Sequence, residues 1–356
     1  MRCRFAILLL GLLLSPRLQA ADHAAILLYH HVSDDTPAST SVTPETFRRH
    51  LDFLDSGGFT VLPLSRILKL LVSGEPLPDK TVAITFDDAY RSVLENAAPM
   101  LHKRGWPFSV FVTTQAIEDG YHNYLSWDDL RKLIADGAEI GNHSYSHAHL
   151  VRHLEGESTQ QWHARVDEDI QLAQRQLKEH LGITASLFSY PFGEYTAELQ
   201  KIVGASGFYG IAQQSGAVGV GFDGLAVPRF PMATHYADME RFSVAVNSRP
   251  LPVRNVSSGP RVQTAGETGR YRFAFDIAPG DYRLAALACY TSEGQRLALA
   301  RRDDAGSMRV SLQLPEWGAG RRKINCTAPS AKERGVFFWY SQLWLVKQAD
   351  GKWYEE

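Results

Sequence analysis

Residues 82–92 of this 356-residue chain read "VAITFDDAYRS", and this stretch decides how the rest of the sequence is interpreted. A run of apolar and β-branched residues, typical of a buried strand, ends in two adjacent carboxylates, Asp87 and Asp88. Like charges at this distance repel each other, and burial makes it costly to ionise both. A single aspartate at a strand end is explained as the cap of the next helix. Two of them indicate a metal site or a catalytic pair.

The segments around this strand alternate in the same way from residue 24 to about residue 247. Apolar runs that predict strands alternate with amphipathic stretches that predict helices, among them 24–30 (strand), 43–58 (helix), 80–86 (strand), 90–105 (helix), 108–114 (strand) and 138–144 (strand). In the first helix Phe47, Leu51 and Leu54 share one face, and Ser126 with Asp129 predicts a capping box further along. Strands separated by helices of this length predict a parallel sheet or barrel.

The sequence changes in character after residue 247. Residues 248–260 are rich in Pro, Ser and Gly and predict a linker, and residues 261–356 contain strand-like runs without a helical period, which predicts a smaller β-sandwich. The aromatic side chains within 337–344 indicate a buried central strand or, alternatively, a platform for sugar stacking. Cys289 and Cys326 are either a disulfide or two buried thiols.

Residues 1–20 have the features of a secretory signal. Arg2 and Arg4 precede an apolar run of ten residues, and small residues near Ala20 predict a cleavage site. The run is too short to span a bilayer comfortably, although an uncleaved anchor is the alternative. The mature part, 21–356, is therefore expected to be exported to the periplasm or the medium. The formal charge of −2 argues against a nucleic-acid partner.

Three of the predicted strands end in residues that can carry chemistry. The first ends at His30, the second at Asp87 and Asp88, and a later one at His143, with His147 four residues on. Functional groups of parallel α/β folds gather at the carboxyl ends of the strands. Two histidines and one carboxylate are a common ligand set for a first-row metal with open positions. Either aspartate could complete this set, which leaves the other free as a base.

Three motifs in this order resemble a known family. "TFDD" (85–88), "HSYSH" (143–147) and "YPFG" (190–193) are similar to the signatures of the NodB-homology polysaccharide deacetylases, carbohydrate esterase family four. "LLYHHV" (27–32) resembles the branch of periplasmic poly-β-1,6-N-acetylglucosamine deacetylases. The resemblance covers about 24–247. It implies a distorted (β/α) barrel, here followed by the smaller β-sandwich, and metal-dependent removal of acetyl groups.

The resemblance also implies a role for each motif residue. Asp88, His143 and His147 would hold a divalent metal ion, with zinc as the expected one, and Asp87 would be the general base. In "YPFG", the backbone N–H of Phe192 would stabilise the oxyanion, with Tyr190 beside the substrate.

The exopolysaccharide branch implies that His30 protonates the departing amine, whereas His31 would point to the opposite face of the strand. No late Leu-x-x-His motif is clear in this sequence, so His235 stays open as an alternative acid. Ser189 stands where the family usually has an arginine that orients the catalytic aspartate. Arg229 could take this part or form an ordinary surface salt bridge.

The sequence therefore predicts an exported N-deacetylase of an N-acetylhexosamine polysaccharide, with poly-N-acetylglucosamine as the leading substrate. Deacetylation of chitin oligomers or peptidoglycan is the nearest alternative, and a catalytically silent carbohydrate-binding protein is another. The residues after 260 are expected to contact the glycan or an export partner.

Overall fold

The computed structural model describes residues 20–304 and 306–355. The predicted signal sequence therefore lies outside the described residues, apart from Ala20. Within the part of the chain that the structure describes, no helix combines the length and apolar character needed to cross a membrane.

The first part of the described chain alternates strands and helices, as its sequence pattern predicts. Its strands are β1 (Ala20–Ala21), β2 (His23–Tyr29), β3 (His31–Val32), β4 (Ser41–Val42), β5 (Thr60–Val61), β6 (Leu77–Pro78), β7 (Thr81–Phe86), β8 (Phe108–Val112), β9 (Ala138–Asn142), β10 (Leu187–Ser189), β11 (Tyr209–Ile211), β12 (Val218–Gly219) and β13 (Phe230–Pro231). Its helices are α1 (Pro44–Ser56), α2 (Leu64–Ser73), α3 (Ala98–His102), α4 (Thr114–Glu118), α5 (Trp127–Ala135), α6 (Thr159–Leu181), α7 (Ala197–Ala205) and α8 (Met239–Val246).

Local sequence signals explain where these helices begin and end. Thr43 caps α1 by accepting a hydrogen bond from the N–H of Thr46, and the apolar face predicted for this helix is buried. The predicted capping box at Ser126 and Asp129 is present at the start of α5. Strand β7 is buried along its whole length, which is the position that its apolar sequence favours.

The central sheet has the strand order β11-β10-β9-β8-β7-β2-β12, and β5 and β13 pair with β7 and β2. Strands β2, β7, β8, β9, β10, β11 and β13 run parallel, which confirms the predicted parallel sheet. The segment 225–232 hydrogen-bonds to residues 210–214 on one side, through Ala212 N–H to the Val227 carbonyl at 2.8 Å, and to β2 on the other, through Met232 N–H to the Leu28 carbonyl at 2.8 Å. The sheet is therefore curled, and the carboxyl ends of its strands surround one opening.

The second part of the described chain is built from strands. They are β14 (Arg249–Pro250), β15 (Val253–Ser257), β16 (Val262–Thr264), β17 (Arg272–Ile277), β18 (Ala288–Thr291), β19 (Arg296–Leu297), β20 (Ala300–Asp304), β21 (Ser307–Gln313), β22 (Gly320–Pro329) and β23 (Phe337–Lys347). One sheet has the order β14-β23-β22-β18-β19, with β16 also on β23, and the other has the order β15-β17-β21-β20. Both sheets contribute side chains to one apolar cluster, which includes Phe273, Val310 and Trp344. The β-sandwich stays a prediction for these two sheets.

The predicted linker is wrong as a description of residues 248–260, because the stretch contains β14 and β15. Its residues are mostly exposed, and β15 obtains its order from backbone pairing with β17 rather than from burial of side chains. The two parts also share a core, since Leu343 and Leu345 of β23 pack into the cluster of the first part. Cys289 and Cys326 face each other on β18 and β22 and form a disulfide.

Candidate active site

The opening at the carboxyl ends of the parallel strands contains the motif residues. Asp87 and Asp88 follow β7, His143 follows β9, and the turn with Phe192 follows β10. Neighbouring parallel strands end at the same edge, and each motif begins where its strand ends. Residues far apart in the sequence therefore meet at this edge.

Asp88, His143 and His147 form a group suited to a metal ion. Their ligand atoms lie within 4.8 Å of one another. Asp88 Oδ1 is 3.2 Å from His143 Nε2 and 3.1 Å from His147 Nε2. Burial alone would raise the pKa of Asp88, but the two imidazoles lower it well below its ordinary value, so the carboxylate is ionised.

The hydrogen bonds of this group show that a cation fits between its members. His143 Nδ1 donates to the Ser189 carbonyl at 2.8 Å, which leaves a lone pair on Nε2 of the neutral ring. That lone pair faces Asp88 Oδ1, a buried oxygen with no hydrogen-bond partner in the described chain. Two acceptors that face each other repel unless a positive charge lies between them, which is either the shared proton that lowers the pKa of Asp88 or a metal ion. The residues present therefore fit a divalent cation with two imidazoles and one carboxylate.

Several residues of this site have strained backbone conformations. Asp88, Ala89, Ser144, His147 and Phe192 have φ values of 72°, 62°, 67°, 53° and 58°, in the left-handed region that is costly for residues with a Cβ. Such strain persists where the surrounding structure enforces it, and it is concentrated at functional sites. All five residues lie in the turns that follow β7, β9 and β10.

Asp87 is held by a buried arginine. Arg229 donates from Nη1 to Oδ1 at 2.7 Å and from Nη2 to Oδ2 at 2.8 Å, and both side chains are fully buried. Ser189 Oγ and Gln213 Nε2 donate to Oδ2 at 3.1 and 3.2 Å. Burial alone would raise the pKa of Asp87, but the charge and hydrogen bonds of Arg229 lower it, with help from His143.

Arg229 is itself fixed in a single orientation. Its Nε donates to the Ala212 carbonyl at 2.9 Å, Nη1 to Thr85 Oγ1 at 3.1 Å and Nη2 to Ser189 Oγ at 2.9 Å, and its guanidinium lies 5.3 Å from the Phe111 ring centre. The sequence left open whether Arg229 orients Asp87 or forms a surface salt bridge. In the structure Arg229 forms a buried pair with Asp87. Ser189 reaches both members of the pair.

Gln213 is a site residue that sequence reasoning missed. It follows β11, so the same strand-end signal that pointed to Asp87 could have drawn attention to it. Its amide adds a neutral donor to a carboxylate that is already paired, which restricts the orientation of that carboxylate.

His30 and His31 are placed differently although they are adjacent. His30 lies at the end of β2, partly buried, where Asp88, Asp87 and His143 are near enough to influence its pKa. Burial is the dominant effect and lowers the pKa of His30 below its ordinary value. His31 is buried and stacks on Tyr90, with ring centres 3.6 Å apart.

The "YPFG" turn separates its two aromatic residues. Phe192, at φ 58°, stacks on His149 with ring centres 3.9 Å apart and lies edge-on to His147 at 4.6 Å. Tyr190 is fully buried, and its hydroxyl donates to the Leu225 carbonyl at 2.9 Å. The expectation of a substrate-side Tyr190 is therefore corrected: its side chain packs beneath the turn, because its polar group is satisfied inside the fold.

The turn is also tied to the second part of the chain. Glu194 is buried and contacts His149 Nδ1 at 2.9 Å, and the hydroxyl of Tyr354 donates to its carboxylate. Arg152 and Arg321 lie 3.7 Å from the same carboxylate. Burial would raise the pKa of Glu194, but its hydrogen bonds from His149 and Tyr354 lower it. Glu194 was not among the site residues predicted from the sequence.

His235 lies outside the ligand group. It is exposed, in a turn before α8, and its ring centre lies 4.2 Å from that of Tyr236.

Comparison with known proteins identifies the first part of the chain. Residues 74–211 match the sequence profile of the polysaccharide deacetylase family. YxkH of Bacillus subtilis is 26% identical over 193 residues, which cover 54% of this chain and 65% of that protein, just under two thirds of its length. The poly-β-1,6-N-acetyl-D-glucosamine N-deacetylase of Staphylococcus aureus is 23% identical over 218 residues, or 60% of this chain and 75% of the relative.

A solved structure agrees in fold. IcaB from Ammonifex degensii aligns with a TM-score of 0.53 and 26% identity over 61% of this chain and 95% of that chain. The matched region contains β7, β9 and β10, whose ends carry the three motifs. This region of the chain is therefore a polysaccharide deacetylase domain of the NodB type.

Proposed function

We propose that this protein is a metal-dependent N-deacetylase of an N-acetylhexosamine polysaccharide, most simply poly-N-acetylglucosamine. The observation that carries the proposal is the adjacency of a three-residue cation site to a carboxylate that is buried, ionised and held by Arg229. A sugar-binding protein without catalysis would have no use for such a carboxylate. The similarity to the Staphylococcus aureus poly-β-1,6-N-acetyl-D-glucosamine N-deacetylase supports this substrate class.

Asp88, His143 and His147 would hold the divalent ion, with zinc favoured by two imidazoles and a carboxylate. Such an ion, when bound, supplies Lewis acidity toward the acetyl carbonyl and lowers the pKa of water. In the hydrolysis, water adds to the amide carbon, the C–N bond breaks, and acetate and a free amine result. The residues of the chain supply proton transfer and orientation.

The hydrogen bonds of Asp87 indicate which oxygen accepts the proton of the attacking water. An ionised carboxylate has about four acceptor positions, two on each oxygen. In the described chain Oδ2 accepts from Arg229, Ser189 and Gln213, whereas Oδ1 accepts from Arg229 alone. Oδ1 therefore has an acceptor position left, and we assign it the role of base. Arg229 aligns the carboxylate and keeps it ionised.

The remaining steps fall to Phe192 and His30. The strained turn would present the Phe192 N–H to the oxyanion, and His30 would deliver the proton that the departing amine needs. Since burial lowers the pKa of His30, its protonated form must be formed in the site, near Asp87 and Asp88, whose charges favour it. His235 is the alternative acid.

The test is acetate release from a panel of acetylated glycans by the zinc-loaded protein, using β-1,6-linked N-acetylglucosamine oligomers, chitin oligomers and peptidoglycan. Asp87→Asn should keep its metal and lose about 10²-fold in rate, the usual scale of general base catalysis. Acetate release from chitin oligomers alone, or from peptidoglycan alone, would assign that glycan as the substrate in place of poly-N-acetylglucosamine. No release from any of them, with metal bound, would leave a carbohydrate-binding protein.

The acid is tested by comparing His30→Ala, His31→Ala and His235→Ala. Turnover should collapse in the first and persist in the other two, with metal content unchanged in all three. A collapse confined to His235→Ala would move the role to that residue.

We also propose that the protein is exported, on the strength of residues 1–20, and that the two sheets of the second part form a β-sandwich around their shared cluster.

A further inference from the structure

A groove of about 800 Å³ runs between the two parts of the described chain. The first part contributes Phe230, His235 and Tyr236, and the second contributes Tyr290 and Trp339. This volume lies within the range of about 300–1,000 Å³ that ligand sites occupy. The residues of the groove come from both parts, so it exists only because β18, β22 and β23 pack beside the curled sheet.

The groove lies at the same edge of the curled sheet as the candidate active site. Ser215 follows β11 in the chain, and Phe230–Met232 form and follow β13. Both strands are parallel to β7, whose end carries Asp87 and Asp88. Parallel strands end at one edge, so the groove and the cation site open on the same face.

Two groove residues of β22 contact residues of the candidate site. Lys323 lines the groove and donates from Nζ to the Gln213 carbonyl at 3.1 Å, and the side chain of Gln213 donates to Asp87. Arg321 also lines the groove, and its guanidinium lies 5.8 Å from the Phe192 ring centre. The groove therefore adjoins two residues of the candidate site, Gln213 and Phe192.

The chemistry of the groove suits an uncharged sugar chain. Tyr236, Tyr290 and Trp339 are each partly exposed and can offer apolar ring faces, while Asn325 can offer hydrogen-bonding groups. The charged residues include both signs: Arg241, Arg321 and Lys323 against Glu240 and Glu293. A surface with charges of both signs does not favour binding of a polyanion. Exposed aromatic rings with polar groups between them match a pyranose, because a pyranose has apolar ring faces and hydroxyl groups around its edge.

The wall of the groove is also rigid. Tyr290 and Asn325 are opposite each other on β18 and β22, and each is next to a cysteine of the Cys289–Cys326 disulfide. A wall ordered before binding loses little conformational entropy when a ligand is held.

We propose that this groove binds the sugar residues that flank the one being deacetylated, so that the second part of the chain supplies the subsites for a neutral N-acetylhexosamine polymer. This rests on the proposed function. It predicts that catalytic efficiency rises with chain length and that the aromatic residues of the groove produce the rise.

The test compares Tyr290→Ala and Tyr236→Ala with Tyr209→Ala, a partly exposed tyrosine at the amino end of β11 and thus on the opposite edge of the sheet. The substrates are the disaccharide and the hexasaccharide of β-1,6-linked N-acetylglucosamine. For each groove variant, the ratio of kcat/KM for the hexasaccharide to that for the disaccharide should fall about tenfold, mainly through KM, as for a contact residue that carries binding energy. Tyr209→Ala should keep the ratio of the parent.

A calorimetric titration with the hexasaccharide separates this proposal from the proposed function. If the parent releases acetate and both groove variants keep its length ratio and affinity, the groove proposal fails and the function stands. If the parent releases no acetate, the function fails. The groove proposal then stands only if Tyr290→Ala and Tyr236→Ala bind the hexasaccharide about tenfold more weakly than Tyr209→Ala. A groove for a partner polypeptide would leave every one of these sugar measurements unchanged, which would also overturn the proposal.

Discussion

Replacement of Arg229 by methionine should reveal how much the fold depends on the pair with Asp87. Methionine has an unbranched apolar side chain like the aliphatic part of arginine, but it leaves the fully buried carboxylate of Asp87 without its counter-charge. Removal of one partner of a buried ion pair typically costs about 3–5 kcal/mol of unfolding free energy. We expect a loss of that size, because Thr85, Ser189 and Ala212 also lose a donor.

The pH dependence has a definite sign. In the parent the pKa of Asp87 is lowered, so the pair contributes stability above the ordinary aspartate pKa of about 4 and loses it as the pH falls through the lower folded value. In Arg229→Met burial is no longer opposed by the charge and hydrogen bonds of Arg229, so the pKa of Asp87 is higher than in the parent and Asp87 takes up a proton more readily. The difference in stability between parent and variant should therefore shrink as the pH falls from 7 toward 4.

The assay is urea unfolding of the full chain in the presence of a chelator, so that metal binding does not contribute. Arg249→Met is the matched control: Arg249 pairs with Glu333 at 2.5 Å, but that pair is partly exposed, and it should cost at most about 1 kcal/mol. The double variant Asp87→Asn, Arg229→Met should recover part of the loss, because a neutral amide needs no counter-charge. The reasoning is refuted if Arg229→Met behaves like the control, or if the double variant is less stable than the single one.

Metal content should depend on Asp88 and not on His149. Asp88→Ala should purify without bound zinc, and His149→Ala should purify with it. Equal zinc in both variants by elemental analysis would contradict the ligand assignment. His50 accepts a hydrogen bond from the Tyr29 hydroxyl and donates one to a backbone carbonyl, and burial lowers its pKa to about 4. Because this histidine takes up a proton at higher pH in the unfolded chain than in the folded one, the free energy of unfolding should fall by about 3 kcal/mol between pH 6.5 and 4. Urea titrations at each pH should show that His50→Leu lacks this acid sensitivity. Reduction of the Cys289–Cys326 disulfide, which closes a separation of 37 residues, should lower the unfolding free energy by about 4 kcal/mol, and an unchanged urea midpoint with and without reductant would argue against it.

Local sequence patterns determined most of the strands and helices and the candidate metal ligands. A fully buried strand needs a continuous apolar run, a helix start needs a capping side chain, and both signals lie within a few residues, as at β7, Thr43 and Ser126. Ligand candidates were found in the same way, because parallel strands bring the residues after them to one edge. Asp88, His143 and His147 are brought together by this rule.

Only the tertiary structure decided what surrounds those candidate ligands. Arg229 and Asp87 are 142 residues apart, Tyr354 and Glu194 are 160 apart, and neither contact leaves a periodic pattern in the sequence. The strand β15 was also invisible as a strand, because its side chains are exposed and its order comes from pairing with β17. Hydrogen bonds and ion pairs between distant residues depend on the path of the whole chain, whereas burial and capping depend on neighbours. The sequence alone therefore identified the candidate site residues, and the fold decided which arginine pairs with Asp87 and which second surface adjoins the site.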